Sequence, residues 1–394
     1  MANTGDVYIV AAARTAIGSF NGSLSKLKAS ELGSAVIKEV LKRSSVSNED
    51  VDEVIMGQAL TAGQGQNPSR QASLGAGLPI TVPAYNINLL CGSGLKTVVL
   101  GYQSIRSGDS KIVITGGQES MSMAPHVIHL RNGIKMGPGT MLDTMQHDGL
   151  TDAMYNIVMG VTAENLVNQY NITREQQDEY AVRSQNLAEN AQKNGYFVKE
   201  IVPIELKTRA GTHIFDKDEY IKTGATIESL KKLRACFIDN GTVTAGNASG
   251  VNDAAAAVLL MSGNEVTKRS IKPMAKIVAW AQTGVEPDVM GISPVSAVQA
   301  VLKKAGWSQE EVDLYELNEA FAGQSIAVLK GLNLDASKVN VNGGAIALGH
   351  PIGASGCRVL VTLLYALERL NLKKGIASLC IGGGMGIAMA VVRT

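Results

Sequence analysis

Apolar positions in the first 120 residues fall into short blocks that alternate with stretches of helical spacing. VYIVAAA (7–13) reads as a strand. A helix is predicted near 30–43, a strand over VDEVIMG (51–57), a helix near 67–77, and a strand around AYNIN (84–88). In LKTVVLGYQSI the apolar Leu95, Val98, Val99, Tyr102 and Ile105 recur every three or four residues, and Gly108 supplies a stop just beyond them. KIVITGG (111–117) then reads as another strand. Strands alternating with helices predict an α/β fold with mainly parallel sheets covered on both faces.

The same order returns later in the chain. VLKRSSVSNEDVD (40–52) and VLKKAGWSQEEVD (301–313) agree at seven of thirteen positions. At nearly the same shift GSGLKTVVL (92–100) lies opposite ASGCRVLVT (354–362), and KIVITGGQES (111–120) opposite GIASLCIGGGMG (375–386). One unit used twice predicts two similar α/β halves related by a pseudo-twofold axis. The first spans 1–120 and is completed by about 248–270; the second spans 271–394. Residues 121–247 have no counterpart and read as an inserted loop domain, richer in Met, His, Asn and charge. It carries one clear helix, REQQDEYAVRSQNLAENAQKNG, capped by Thr173 and ended at Gly195.

Composition narrows the function. The 394 residues are 45% hydrophobic and 18% charged with a formal net charge of +1, so neither nucleic acid nor an anionic membrane is an expected partner. Small molecules and further copies of the chain are. No window approaches the roughly 18 apolar residues that span a bilayer. The first strand begins within a few residues of the N-terminus, with no basic residue before Arg14, so no leader is expected and a cytoplasmic location is. Cys91, Cys236, Cys357 and Cys380 form no C-x-x-C pair, and the five histidines add no ligand pattern, so neither a disulfide framework nor a metal site is predicted.

Four turns carry candidate chemistry. In NINLLCGSGLKT (86–97), Cys91 stands at the C-terminal end of a strand and the start of a helix, where open α/β sheets bind ligands and where the helix dipole favours thiolate. Gly92 and Gly94 allow close approach of a substrate. The equivalent region of the second half, LGHPIGASG, offers His350 in a Gly-His-Pro turn. SLCIGGGMG places Cys380 at a strand end before three glycines whose N–H groups can face an anion, and YELNEAF places Asn318 at another strand end. Taken singly, these read equally well as a buried thiol, a structural histidine, a flexible turn and a cap.

These motifs together resemble the thiolase family over essentially the whole chain. The resemblance is carried by NLLCGSG, GGQESMSMAPH (116–126), NASGVND (247–253), LNEAFA, GGAIALGHPIGASGCR (343–358) and LCIGGGMG. It implies a thiolase-like fold and reversible condensation of two acetyl-CoA to acetoacetyl-CoA and CoA through an acetyl-cysteine. In that reading Cys91 is the nucleophile, and His350 activates it and helps bind the thioester oxygen. Cys380 moves the α-carbon proton, Asn318 holds a water beside His350, and the N–H groups of Cys91 and Gly382 form an oxyanion hole. Contacts to CoA are implied at Met159, Lys222, Ser229, Ala245, Ser249, Ala320 and Phe321. CoA thioesters are then substrates, no resident cofactor is expected, and the chain is expected to form a homo-oligomer, a tetramer.

This sequence departs from many short-chain members at Val158, in place of His, at Lys222, in place of Arg, and at Ala254, in place of Gly. The competing expectations are a broader 3-ketoacyl-CoA thiolase and a non-catalytic thiolase-like carrier. A β-ketoacyl synthase is disfavoured by Cys380, which stands where those enzymes have histidine.

Overall fold

The computed structural model describes residues 5–208 and 211–394. Among the described residues nine strands form the continuous path of the main sheet, with two short strands paired off it. The path is made up of β1 (Val7–Thr15), β2 (Glu53–Gly57), β3 (Ala84–Ile87), β4 (Ile112–Ser120), β5 (Asn252–Ser262), β6 (Ala275–Gly284), β7 (Leu314–Leu317), β8 (Lys374–Ile381) and β9 (Met385–Arg393). The helices around it are α1 (Ala29–Ser44), α2 (Pro68–Gly75), α3 (Ser93–Ser107), α4 (Met159–Gln169), α5 (Arg174–Lys193), α6 (Ile227–Lys231), α7 (Pro294–Ala305), α8 (Ala322–Leu332) and α9 (Ile352–Arg369).

The spatial order β7-β8-β9-β6-β1-β5-β4-β2-β3 reads as two series meeting back to back. From the centre outward, β1, β5, β4 and β2 correspond to β6, β9, β8 and β7. Within the sheet the two series pair where Tyr8 faces Lys276 and Ile9 faces Ala275. The sheet is parallel at its two ends and antiparallel through the middle, which corrects the expectation of mainly parallel sheets. The reason lies in the last strand of each half. β9 folds back from β8 through the short turn Gly382–Gly384, and β5 arrives from the insertion, so neither needs a helical crossover.

Alternation along β1 shows how the layers form. Val7, Ile9 and Ala12 face a core shared with α3 and α9, whereas Tyr8, Val10 and Ala11 face a second core shared with α1. A third core lies between α7 and the strands of the second half. Helix α9 is sandwiched at the centre and is buried on every face from Ile352 to Leu364, as its nearly continuous apolar sequence requires.

The segment 121–247 carries α4 to α6 and several short hairpins. Thr173 caps α5 by accepting from Gln176 N. Residues Ile201–Val202 pair with the end of β1, and the buried Arg14 binds Asp218 at 2.7 and 2.9 Å and Glu200 at 2.6 Å. The segment is thereby fastened to the first strand. Among the described residues no helix is long and apolar enough to cross a membrane.

Candidate functional site

Cys91 lies in a turn of 3-10 helix, Leu90–Gly92, leading directly into α3. Leu90 takes φ +45°, a conformation costly for a branched side chain and held here by its surroundings. Asn88 Oδ1 accepts from Leu90 N at 2.9 Å, Ser93 Oγ accepts from Leu89 N at 2.8 Å, and the Ser93 hydroxyl donates to Leu90 O at 2.7 Å. The polar residues of NINLLCGSG therefore set the thiol's direction.

Gly92 and Gly94, read from sequence as room for a substrate, serve packing instead. A Cβ on Gly94 would stand 2.7 Å from Cys357 N and 3.0 Å from Gly353 O, and one on Gly92 would strike Ile381. They let α3 approach the backbone of α9 and the end of β8. That close approach brings the turn before α9 to the thiol: His350 Nε2 is 3.3 Å from Cys91 Sγ.

The second ring nitrogen of His350 fixes the first. The Ser355 hydroxyl donates to Pro351 O at 2.9 Å, so it accepts from Nδ1–H at 2.6 Å. Nε2 is left unprotonated and faces Cys91 as the acceptor. The histidine main chain is held as well, because His350 N donates to Asn252 Oδ1 at 2.9 Å while Asn252 Nδ2 donates to Gly18 O. Gly349, at φ +106°, must be glycine, since a Cβ would run into Asn252. Ser355 and Asn252 escaped the sequence reading. A serine five residues after a histidine, at the start of a helix, is the signal that could have found the first.

Asn318 follows β7 immediately, with its N–H donating to Ser378 O. Its Nδ2 lies 3.5 Å from His350 Nε2, and its buried Oδ1 has no partner among the described residues. Cys380, near the end of β8, is buried and close enough to Cys91 that each anion would oppose the other. Gly382 N–H and Cys91 N–H both point at the Cys91 sulfur.

Electrostatics correct one expectation. The helix N-terminus was expected to favour thiolate, but burial outweighs it: the Cys91 thiol is pushed up to about 11, with the two N–H groups only partly offsetting burial. Burial also brings His350 down to about 4, with Arg358 adding to the effect, and pushes Cys380 up. At neutral pH the pair rests as thiol and neutral imidazole, so proton transfer accompanies attack rather than preceding it.

Cys91, His350 and Cys380 together line a cavity of about 460 Å³. Of the residues tied from sequence to CoA, Met159, Ser249, Ala320 and Phe321 line it, as does Val158. Phe237 packs edge-on to Phe321 at 6.1 Å between ring centres and also lines the cavity, together with Met121, Met290 and Cys236.

Lys222, Ser229 and Ala245 are exposed and outside the lining. They remain connected to it. Leu230 and Leu233, around Ser229, pack on Gly246, next to Ala245, while Ala235 pairs with Thr244 just before Cys236. The Lys222 ammonium sits over Tyr220, whose ring abuts Gly250 beside Ser249. Ala254 is buried in β5 opposite Glu119 and does not line the cavity. Among the described residues no group of three or more His, Cys, Asp or Glu could hold a metal ion.

Comparison with known proteins covers nearly the whole chain. Residues 7–264 match the family model "Thiolase, N-terminal domain" and residues 271–393 the model "Thiolase, C-terminal domain". The chain is 58% identical over 387 residues to an acetyl-CoA acetyltransferase of Rhizobium meliloti, covering 98% of each. It is 56% identical over 394 residues to the cytosolic acetyl-CoA acetyltransferase of Mus musculus, covering 100% of this chain and 99% of that one. A crystal structure of human mitochondrial 3-ketoacyl-CoA thiolase superposes with a TM-score of 0.97 at 43% identity over the full length of both.

Proposed function

The chain belongs to the thiolase family, and on that premise we propose that it is an acetyl-CoA C-acetyltransferase, forming acetoacetyl-CoA and CoA from two acetyl-CoA and catalysing the reverse reaction. The observation that carries the reading is the placement of Cys91, His350 and Cys380 in the lining of one cavity, with Asn318 against His350 behind it. Identity of 56% and 58% over nearly the full chain to proteins named acetyl-CoA acetyltransferase supports the short-chain assignment.

In the first half-reaction Cys91 gives its proton to His350 Nε2 as sulfur attacks the acetyl carbonyl. The tetrahedral oxyanion is held by the N–H groups of Cys91 and Gly382, and collapse breaks the bond to CoA sulfur. CoA departs with a proton from Cys380, leaving that thiolate to act next. In the second, Cys380 takes a proton from the methyl group of another acetyl-CoA. The enolate oxygen is held by His350 and by a water on Asn318, and the enolate carbon attacks the acetyl group on Cys91. Collapse of this intermediate frees the Cys91 sulfur, which recovers its proton from His350. No resident cofactor is needed, since CoA thioesters are the substrates.

The CoA body is proposed to leave the cavity past Ser249 and Phe321 toward Ser229, Ala245 and Lys222. The Mus musculus relative, named cytosolic, supports a cytoplasmic setting, where supply of acetoacetyl-CoA to the mevalonate route is the proposed role. A homotetramer is proposed, supported by two separate exposed apolar areas. One lies around Ile80 and Tyr85 beside the open edge of β3, and the other is the Ile128 to Met141 segment.

The test is incubation with acetyl-CoA, digestion and location of the added acetyl mass, followed by thiolysis of acetoacetyl-CoA and longer 3-ketoacyl-CoA substrates. Acetylation away from Cys91 overturns the mechanism. Faster cleavage of long chains than of acetoacetyl-CoA would favour the broader 3-ketoacyl-CoA reading, which the 0.97 superposition keeps in play.

A further inference from the structure

One buried carboxylate near the thiol takes no part in the chemistry above. Glu119, on β4, is fully buried and makes no ion pair among the described residues. Its oxygens accept only backbone N–H groups: Oε2 from Ala59 at 2.9 Å and Gly353 at 2.7 Å, and Oε1 from Leu60 at 3.1 Å. Ala59 and Leu60 belong to the loop after β2, in the half that carries Cys91. Gly353 is in the first turn of α9, three residues after His350. Pro351, at the cap of α9, makes no side-chain bond to that turn, so Glu119 satisfies one of the free donors there from a distant strand.

We propose that Glu119 is a positioning residue of this active site: its carboxylate clamps the turn carrying His350 to the half carrying Cys91, and the clamp holds an ionisable acid close to the thiol. The clamp needs both oxygens as acceptors. Glutamine would set an NH2 group against one of the three N–H donors, and aspartate, one methylene shorter, cannot span both segments. The charge acts because an anion near the sulfur disfavours a second anion, and Glu119 raises the Cys91 thiol in this sense.

Other charged and titratable groups face the same region. They are Asp253 on β5, which opposes ionisation of Glu119 and is itself bound to Ser122, Arg358 on α9, which acts on His350, and Cys380 on β8. Burial lifts Glu119 to about 7, against the pull of its three N–H donors, so the clamp weakens as pH falls below neutrality. Ionised Glu119 adds to burial, the larger cause, in keeping Cys91 a thiol, the form less reactive toward oxidants and electrophiles.

This inference rests on the thiolase reading, and the experiment separates the two. The pH dependence of iodoacetamide alkylation at Cys91, located by mass, is measured beside thiolysis kcat for the native chain, Glu119→Gln and Glu119→Asp. In Glu119→Gln the alkylation midpoint should move to lower pH by half a unit or more while kcat falls about tenfold or further, the size expected for losing charge-assisted hydrogen bonds. A merely structural defect would lower both reactivities and leave the midpoint in place. Glu119→Asp should keep the native midpoint and lose kcat, and it carries the test if the glutamine variant fails to fold. An unchanged midpoint in Glu119→Gln, or native kcat in both variants, overturns the proposal. Failure of the native chain to acetylate Cys91 would instead sink the thiolase reading and leave the alkylation comparison standing.

Discussion

Two thiols in one cavity invite the question of which does what, and substitution can divide them. Cys380 is fully buried beside Cys91, and of its two proposed tasks only the transfer of the α-carbon proton is indispensable, because CoA sulfur can also depart as a thiolate. Cys380→Ser should therefore still acquire an acetyl group on Cys91 from acetyl-CoA, while condensation falls about a hundred- to ten-thousandfold, the usual loss when a positioned acid or base is removed. Labelled acetyl transfer and deuterium exchange at the acetyl methyl, run on one preparation, check it. Exchange at the native rate would assign the proton to another group, His350 first. At this scale the sequence picked out Cys91 and His350 by residue type and turn, and the fold brings them to 3.3 Å. It was not readable where a residue acts through another: Ser355, Asn252 and Glu119 owe their roles to partners that only the fold brings near.

Elements were legible wherever periodicity had length to show itself. β1, α1, β2, α2, β3, α3 and α5 lie within two residues of the segments their patterns predict, and β4 runs three residues further. Strand direction was not legible, because a hairpin such as β8 to β9 and a long insertion before β5 leave the same apolar pattern as a crossover. Nor was the crossing of α3 with α9, since glycines that admit a substrate and glycines that admit a helix look alike in sequence. The crossing makes its own prediction. Gly94→Ala places a methyl group against the backbone of α9, which cannot yield as a flexible side chain could, and should cost about 1 to 3 kcal/mol. A lowered urea midpoint should accompany loss of kcat out of proportion to the unfolded fraction, because the same shift parts Cys91 from His350. Native kcat in a destabilised variant would separate the crossing from the site.

For the whole molecule, the proposed homotetramer needs two separate self-contacts, for which Met136, 94% exposed, and Ile80, 80% exposed, lie on distinct segments. Met136→Glu with Ile134→Glu should halve the mass seen by sedimentation equilibrium and leave the other contact intact. A native mass would show that the Ile128 to Met141 segment does not join subunits.

The burial of α9 has a further consequence, which concerns time rather than stability. Its residues Val359 to Leu367 share one core with Val7, Ile9, Val98 and Val113, so the face that β1, α3 and β4 present to the centre has nothing to cover it until the last tenth of the chain exists. At about 5 to 20 residues per second, a ribosome takes on the order of 10 to 50 s to pass from Ser120 to Arg369. Through that interval the nascent first half shows an apolar surface and an unpaired strand edge to the cell. Chaperone occupancy of the emerging chain, followed through its release, should rise once β4 has emerged and drop only after α9 is free of the exit tunnel, which places the vulnerable period of this protein in its synthesis.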